Sequence, residues 1–294
     1  MRVYICHMSR FLRDLDYLST ITQVDLDEIL EGNNQFRIDK EQVAQAEMRS
    51  YTIQRYDMDS VFGDTTAWSP AVAYKAKNLV YLYGTTYSAS AAYSVGNLIE
   101  FTDGYVWICV TSTSAGQSPI THPAKWVQIG LVDALYYVKL PNNEYDYTVT
   151  YATDDIVWYK NRTYKAKTGL SNILPTDSNY WTDLGAYSVT AGIYPTNTTL
   201  WTAGDNRPPL IVEHYVGITL YHLYKRINPR FIPDLRKEAY DGNNALQTGG
   251  AIGWLKRVSK GEINADLPKI APAQGNTIRY GNGDGTTTRI SNQY

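Results

Sequence analysis

The stretch from Arg207 to Gly261 is the most helical part of the chain, and it cannot bury itself. After Pro208-Pro209, apolar residues fall at Ile211, Tyr215 and Ile218 and at Val212, Val216, Leu220, Leu223 and Ile227. Steps of three and four wrap a wide apolar stripe around one helix. Proline opens it at little cost, because the N–H it lacks would be unpaired there. Asn228-Pro229 closes it, since the residue before proline is pushed out of the α region. A short helix is predicted from Pro233 to Tyr240. Another carries Ile252, Leu255 and Val258 and stops at Lys260-Gly261. Three such helices leave their stripes open, so a partner helix must come from elsewhere in the chain.

Residues 1–63 supply it. Leu15, Leu18 and Ile21, then Val24, Leu26, Ile29 and Leu30, predict short helices that end at Gly32-Asn33-Asn34. Asp39 followed three residues on by Gln42 has the form of a capping box, with Ile38 and Val43 placed as a hydrophobic staple. That helix is expected to run through Val43, Ala44, Met48 and Tyr51. The expected helical core is Val43, Tyr51, Tyr215, Ile218, Leu220, Leu223 and Leu255.

Composition changes at Asp64. From there to Asp205 the chain is rich in Tyr, Thr, Trp, Val, Asn and Gly, and it holds six of the seven tryptophans. The same region repeats. Tyr151, Val157, Tyr164 and Ala166 correspond to Tyr93, Ile99, Trp107 and Cys109, and both copies continue through a proline (Pro175, Pro119), a tryptophan (Trp181, Trp126) and a closing glycine (Gly185, Gly130). A truncated copy precedes them, with Tyr74, Val80, Tyr87 and Ala89 at the spacing of the later copy and no Pro and Trp half. Alternating residues around Tyr-x-Asn or Asp-Gly turns are hairpin chemistry. A module of about 40 residues is near the lower size limit for a domain and must wrap its sheet around large aromatics. Trp107, Trp126, Tyr164 and Trp181 are the expected module cores. Trp158 and Tyr159 are adjacent, so one of the two is expected to face out.

The copies at 93–130 and 151–185 resemble small chitin- or cellulose-binding modules, through the pattern Tyr…Val-x-Tyr-x-Asn…Tyr-x-Ala…Pro…Trp…Leu-Gly. The resemblance implies exposed aromatics that stack on sugar rings: Tyr105 in the earlier copy and Trp158, Tyr159 and Tyr180 in the later one. Lys125 stands where the later copy has Tyr180. The flanks resemble head–tail connector (adaptor) proteins of tailed bacteriophages, the group typified by the Mu-like head completion protein. This resemblance rests on Tyr51 to Asp57, Tyr221-x-Leu223-Tyr224 and Leu255 to Gly261. It implies a ring of about twelve copies beneath the portal that extends the DNA channel. Family members join the two halves by a short loop, where this chain carries roughly 140 residues more; long insertions at loop tips are tolerated because closure entropy grows only logarithmically.

The expected fold class is therefore α+β multidomain: an α-helical bundle adaptor core from 1–63 and 206–267, and an inserted all-β region at 64–205. That region is expected to hold two to three modules, a partial copy at 68–92 and copies at 93–130 and 147–185. An extended tail at 268–294 follows, with Pro268 and Pro272 excluding helix. In the tail, Ile278, Arg279, Tyr280, Arg289, Ile290 and Tyr294 are candidate contacts to the portal or a neighbouring subunit.

Twenty-seven basic against 29 acidic residues argue against non-specific nucleic-acid binding through a basic face. No apolar run reaches the length of a membrane helix, and the charged start shows no secretion signal. Two cysteines, Cys6 and Cys109, are too few for a disulfide framework or a zinc site, and the four histidines are dispersed. No convergent catalytic, metal or cofactor site is visible. The sequence reading is a virion structural protein at the head–tail junction, made in the host cytoplasm and not an enzyme. Its partners would be the portal, other connector and tail proteins and copies of itself, with genomic DNA passing through unbound, a glycan possible on the modules, and no membrane. The alternative is a carbohydrate-binding protein whose modules hold a cell-surface polysaccharide.

Overall fold

The computed structural model describes residues 10–242 and 249–270. Its helices are α1 (Asp14–Tyr17), α2 (Gln23–Leu30), α3 (Gln35–Thr52), α4 (Met58–Val61), α5 (Pro209–Ile227), α6 (Asp234–Asp241) and α7 (Ala251–Lys260). The stripe of α5 lies against α3, and α1, α2, α6 and α7 close over the pair. Ala44 and Met48 of α3 meet Tyr215, Ile218, Leu220 and Leu223 of α5 and Leu255 of α7 in one buried cluster. Each large side chain there contributes about 1.5–3 kcal/mol through burial. Two tyrosines inside are paired: the Tyr215 hydroxyl donates to the Glu41 carbonyl at 2.8 Å, and the Tyr17 hydroxyl donates to the Glu41 carboxylate at 2.9 Å. Burial pushes the Glu41 carboxyl up despite the opposing pull of Arg10.

Two expectations about α3 are corrected. The helix starts four residues before Asp39, where Asn33 accepts the Gln35 N–H at 3.0 Å, so Asp39 and Gln42 lie inside it and form no capping box. Val43 is 43% exposed and not a core residue, because the buried face of α3 runs through Arg37, Glu41, Ala44, Met48 and Thr52. Tyr51 is half-buried against the cluster.

The strands show that the truncated copy is not truncated. In the 93–130 copy, Leu98–Glu100, Tyr105–Cys109 and Trp126–Leu131 form an antiparallel ladder, with Thr85–Thr86 parallel on the outside. In the 147–185 copy, Ile156–Tyr159, Arg162–Ala166 and Trp181–Ala186 do the same, with Glu144 bridging in parallel to Trp158. The earliest copy has the same four-stranded order, but from distant pieces: Thr65–Ala67, Leu79–Tyr81, Leu135–Val138 and Trp201–Ala203. Trp201 faces Val138 as Trp126 faces Cys109 and Trp181 faces Ala166. The missing half is thus residues 135–138 and 188–203. The position of Trp107 and Tyr164 is held there by Tyr136, not Tyr87. The middle copy sits inside the hairpin of this split copy, and the third copy sits between its last two strands.

The shared residues are the ones that hold each copy. Tyr74, Tyr93 and Tyr151 meet Trp201, Trp126 and Trp181 edge-on at 5.4, 5.4 and 5.5 Å, each at 67°. Each tyrosine oxygen accepts the N–H five residues back, of Ser69, Ser88 or Asp146, at 2.7 Å. A carbonyl-bearing side chain (Asn78, Asn97 or Asp155) then accepts the N–H just after the tyrosine, at 2.7–2.8 Å. In the third copy the turn Lys160-Asn161 has φ of 45° and 65°, the two-residue hairpin geometry that asparagine favours.

These elements overturn the expected fold class. Helices hold 29% and strands 23%, in a β-rich chain of several small sheets with a helical segment, not a helical-bundle core with an inserted β region. Among the described residues, one of the four buried clusters is helical. The split-copy sheet is bonded directly to the helical segment: Thr65 N–H donates to the Arg10 carbonyl at 2.8 Å. At its other end Arg207 donates to Asp16 at 2.7 and 2.9 Å, to Asp205 and to the Phe11 carbonyl. Sheet and helices share their seam, so neither is a frame into which the other is inserted.

Candidate functional site

A cleft of about 750 Å³ lies where three parts of the chain converge. One wall is the third copy, with Tyr145, Tyr147, Trp158 and Tyr159. A second is the split copy, with Lys77, Asn78 and Tyr137. The third is the segment around α4 together with Asn264 to Lys269. Local pairing fixes each wall. Tyr145 and Trp158 are held by Tyr145 N–H donating to the Trp158 carbonyl at 2.9 Å and Trp158 N–H donating to Asn143 at 2.8 Å. Asp57 N–H donates to the Pro268 carbonyl at 2.8 Å and Tyr56 bridges to Lys269, which lays the 264–269 stretch along α4.

Lys77 ties two of the walls together. Its ammonium lies 2.8 and 2.6 Å from the two Glu144 carboxylate oxygens and 5.3 Å from the centre of the Trp158 ring. Its carbonyl accepts from Asn206 at 2.9 Å. Lys160 stands over Tyr159 at 5.5 Å. Burial pushes the Tyr145 phenol up to about 12, so it is neutral at physiological pH. The Asp146 carboxyl is held below its ordinary range, first by the Thr148 backbone N–H and then by the Thr148 hydroxyl. The Tyr145 hydroxyl and the Trp158 ring nitrogen are closed off from solvent and have no hydrogen-bond partner.

Of the aromatics singled out as exposed sugar platforms, the structure brings two together and leaves two apart. Trp158 is 6% exposed, which corrects the expectation that it is an open platform: it is a wall of the cleft, covered by Lys77. Tyr159 is half-buried beside it. Tyr180, 39% exposed, is not among the cleft-lining residues, and Tyr105 is half-buried on the middle copy. Among the expected module cores, Trp126, Tyr164 and Trp181 are buried, whereas Trp107 is only partly covered, with its ring N–H donating to Asp103 at 3.2 Å. Sequence reasoning missed Tyr145 and Lys77. Tyr145 occupies the place of Trp68 and Tyr87, one residue before the Ser or Asp that each copy's tyrosine engages, and that spacing was the available signal.

The tail residues Ile278, Arg279, Tyr280, Arg289, Ile290 and Tyr294, and Cys6, lie outside the described residues. Cys109 is a buried free thiol. His214 lies tilted against Trp254, ring centres 4.6 Å apart, and His222 meets Glu47 at 2.9 Å. Among the described residues no three His, Cys, Asp or Glu side chains group as a metal site, and no helix is long and apolar enough to cross a membrane. No family model matches the chain, and no curated protein matches it.

Proposed function

We propose that the protein is a structural subunit of a tailed-bacteriophage virion, a head–tail connector that docks on the portal and joins it to the tail, without enzymatic activity. The observation that carries this reading is that the two stretches bearing the connector resemblance, far apart in sequence, lie side by side. Arg55, three residues past the end of α3, donates to the Ser259 carbonyl near the end of α7 at 3.4 Å, and α3 packs along both α5 and α7. A connector works by presenting fixed surfaces to two neighbours, and the seam between helices and split copy, tied by Arg207 to Asp16 and Asp205, is suited to carrying load between them. The β-modules would decorate such a ring.

The test is light scattering on the purified protein with and without the portal ring of the same phage. Co-elution at one copy per portal subunit is the expected result. Absence of any association at concentrations where the protein is folded would overturn the reading.

A further inference from the structure

The stretch from Asn264 to Lys269 runs along the cleft as one of its walls, and backbone pairing holds its end extended. Asp57 N–H donates to the Pro268 carbonyl at 2.8 Å, Ile270 N–H donates to the Arg55 carbonyl at 3.0 Å, and Tyr56 bridges antiparallel to Lys269. Residues 271–294 therefore set out from the rim of the cleft. The nine residues from there to Arg279 reach up to about 30 Å when extended. That is ample to cross a cleft of about 750 Å³ to the third copy.

The cleft is short of positive charge once its internal pairs are set aside. Five carboxylates and four cationic side chains line it. Lys77 is paired with Glu144, and Arg207 is turned to Asp16 and Asp205, neither of which lines the cleft. Four carboxylates (Asp57, Asp64, Asp146 and Asp266) then remain against Lys160 and Lys269, an excess of two negative charges. Such a wall repels phosphates and nucleic acid and attracts a basic segment. Residues 271–294 carry two arginines, Arg279 and Arg289, and one acidic side chain, Asp284. Their order fits as well as their charge. In an extended chain Ile278 and Tyr280 point one way and Arg279 the other. The cleft is two-sided in the same sense: the half-buried rings of Tyr147 and Tyr159 stand on the third copy, and the Asp57, Asp64 and Asp266 carboxylates stand on the walls formed by the α4 segment and the 264–269 stretch.

We propose that the cleft binds the tail of its own chain through Ile278-Arg279-Tyr280, with Arg279 set against the Asp57, Asp64 and Asp266 carboxylates and Ile278 and Tyr280 on the Tyr147 and Tyr159 rings. The tail then straps the third copy to the helical segment, and three of the residues expected to contact a partner are covered until that partner competes for them. The strap does not rest on the connector reading: portal docking and tail docking are separate measurements and fail separately.

Hydrogen exchange read by mass spectrometry on the full chain tests it. Residues 145–148 and 157–160 should exchange about tenfold faster in Arg279→Glu than in wild type, with the circular dichroism unchanged. Joint replacement of two exposed cleft carboxylates, Asp64→Asn with Asp266→Asn, should produce the same rise from the other side of the contact. Equal exchange in wild type and Arg279→Glu overturns the proposal. Cross-linking then locates the tail. No lysine occurs in 271–294, so Arg279→Lys gives it an amine that carbodiimide joins to any carboxylate in contact. The expected links run to Asp57, Asp64 or Asp266 within one copy. Links confined to other surfaces, or no link at all, overturn the proposal. So do links between light and heavy copies in an isotope-mixed sample, which would make the occupant the tail of a second copy.

Discussion

The split copy and the third copy are built from the same parts and differ in how the chain reaches them. In the third copy every strand lies within about 45 residues, its six buried residues form a cluster of their own, and each contact closes a short loop. In the split copy Leu79–Tyr81 pairs with Leu135–Val138 and then with Trp201–Ala203, so its sheet closes only after two other copies have been threaded through it. Its buried cluster also runs into the middle copy through Leu82, Val106, Ile108 and Ile129. Gly130, at φ 147°, lets the two approach so closely that a Cβ there would lie 2.5 Å from Leu82. Identical local chemistry thus yields a self-contained unit in one case and a joint that depends on the whole chain in the other. Long-range pairing of this kind folds late, because loop closure precedes any contact that rewards it.

The largest effect should come from removing the central tryptophan. Trp201 and Trp181 are both 1% exposed, and truncating either to alanine should cost about 3–5 kcal/mol locally. Trp181→Ala is expected to melt the third copy alone, leaving the helical signal of far-ultraviolet circular dichroism intact on heating. Trp201→Ala should lower the melting of the helices as well, because the strand it anchors leads straight into Asp205 and Arg207. Equal, global destabilisation by both would dissolve the distinction between unit and joint.

Next comes the tether itself. Arg207 is held by two carboxylates and a carbonyl with its side chain 4% exposed, and Arg207→Met would leave Asp16 at the seam without its partner. A loss of about 3 kcal/mol is expected, since removing one member of a buried pair strands the other. Chemical denaturation followed separately by helix signal and tryptophan fluorescence reads it. The two probes should move together, and a fluorescence shift alone would mean that the seam does not couple them.

A milder comparison uses one chemical change three times. Tyr74→Phe, Tyr93→Phe and Tyr151→Phe each remove the oxygen that accepts the N–H of Ser69, Ser88 or Asp146 at 2.7 Å, a loss of about 1 kcal/mol each. Tyr74→Phe should appear in the main transition and Tyr151→Phe only in that of the third copy. Differential scanning calorimetry separates the two.

How much of this was legible depended on distance along the chain. The α5 stripe shows its period within 20 residues, and its buried set (Ile211, Tyr215, Ile218, Leu220, Leu223) came through nearly whole. The tyrosine-to-tryptophan pattern was legible for the same reason in the two continuous copies. The split copy was not, because nothing in the spacing of Tyr74 and Val80 says that their partners are Val138 and Trp201. Tyr87 and Ala89, at the right interval, instead offered a false continuation. Trp158 misled for another reason. Alternation shows that a side chain leaves one face of its strand, but not that Lys77 from another copy lies across that face. Val43 failed because the buried face of α3 runs through Arg37, Glu41, Ala44 and Met48, two of them charged, so apolar residues alone did not mark it. The connector-like flanks suggested a bundle with an insert, yet the four scattered apolar clusters and the shared seam made a β-rich mosaic instead.

The smallest predicted effect separates the copies by pH. The residue whose N–H meets the tyrosine oxygen is Ser69 in the split copy, Ser88 in the middle one and Asp146 in the third. Only the last titrates. Its carboxylate accepts from the Thr148 N–H at 2.8 Å and the Thr148 hydroxyl at 2.7 Å, which holds its folded pKa below the ordinary carboxylate value. The unfolded chain then takes up the proton first as pH falls, so this contribution is full above the ordinary carboxylate range and is lost below it. Because Asp146 is exposed, solvent screens the effect to a few tenths of a kcal/mol. The melting point of the third copy should therefore fall slightly in acid relative to its own Asp146→Asn variant, while that variant behaves the same at neutral and acid pH in this respect. An equal acid response in wild type and Asp146→Asn would assign the sensitivity to other carboxylates. It would also leave Asp146 as no more than a turn residue, interchangeable with the serines of the other two copies.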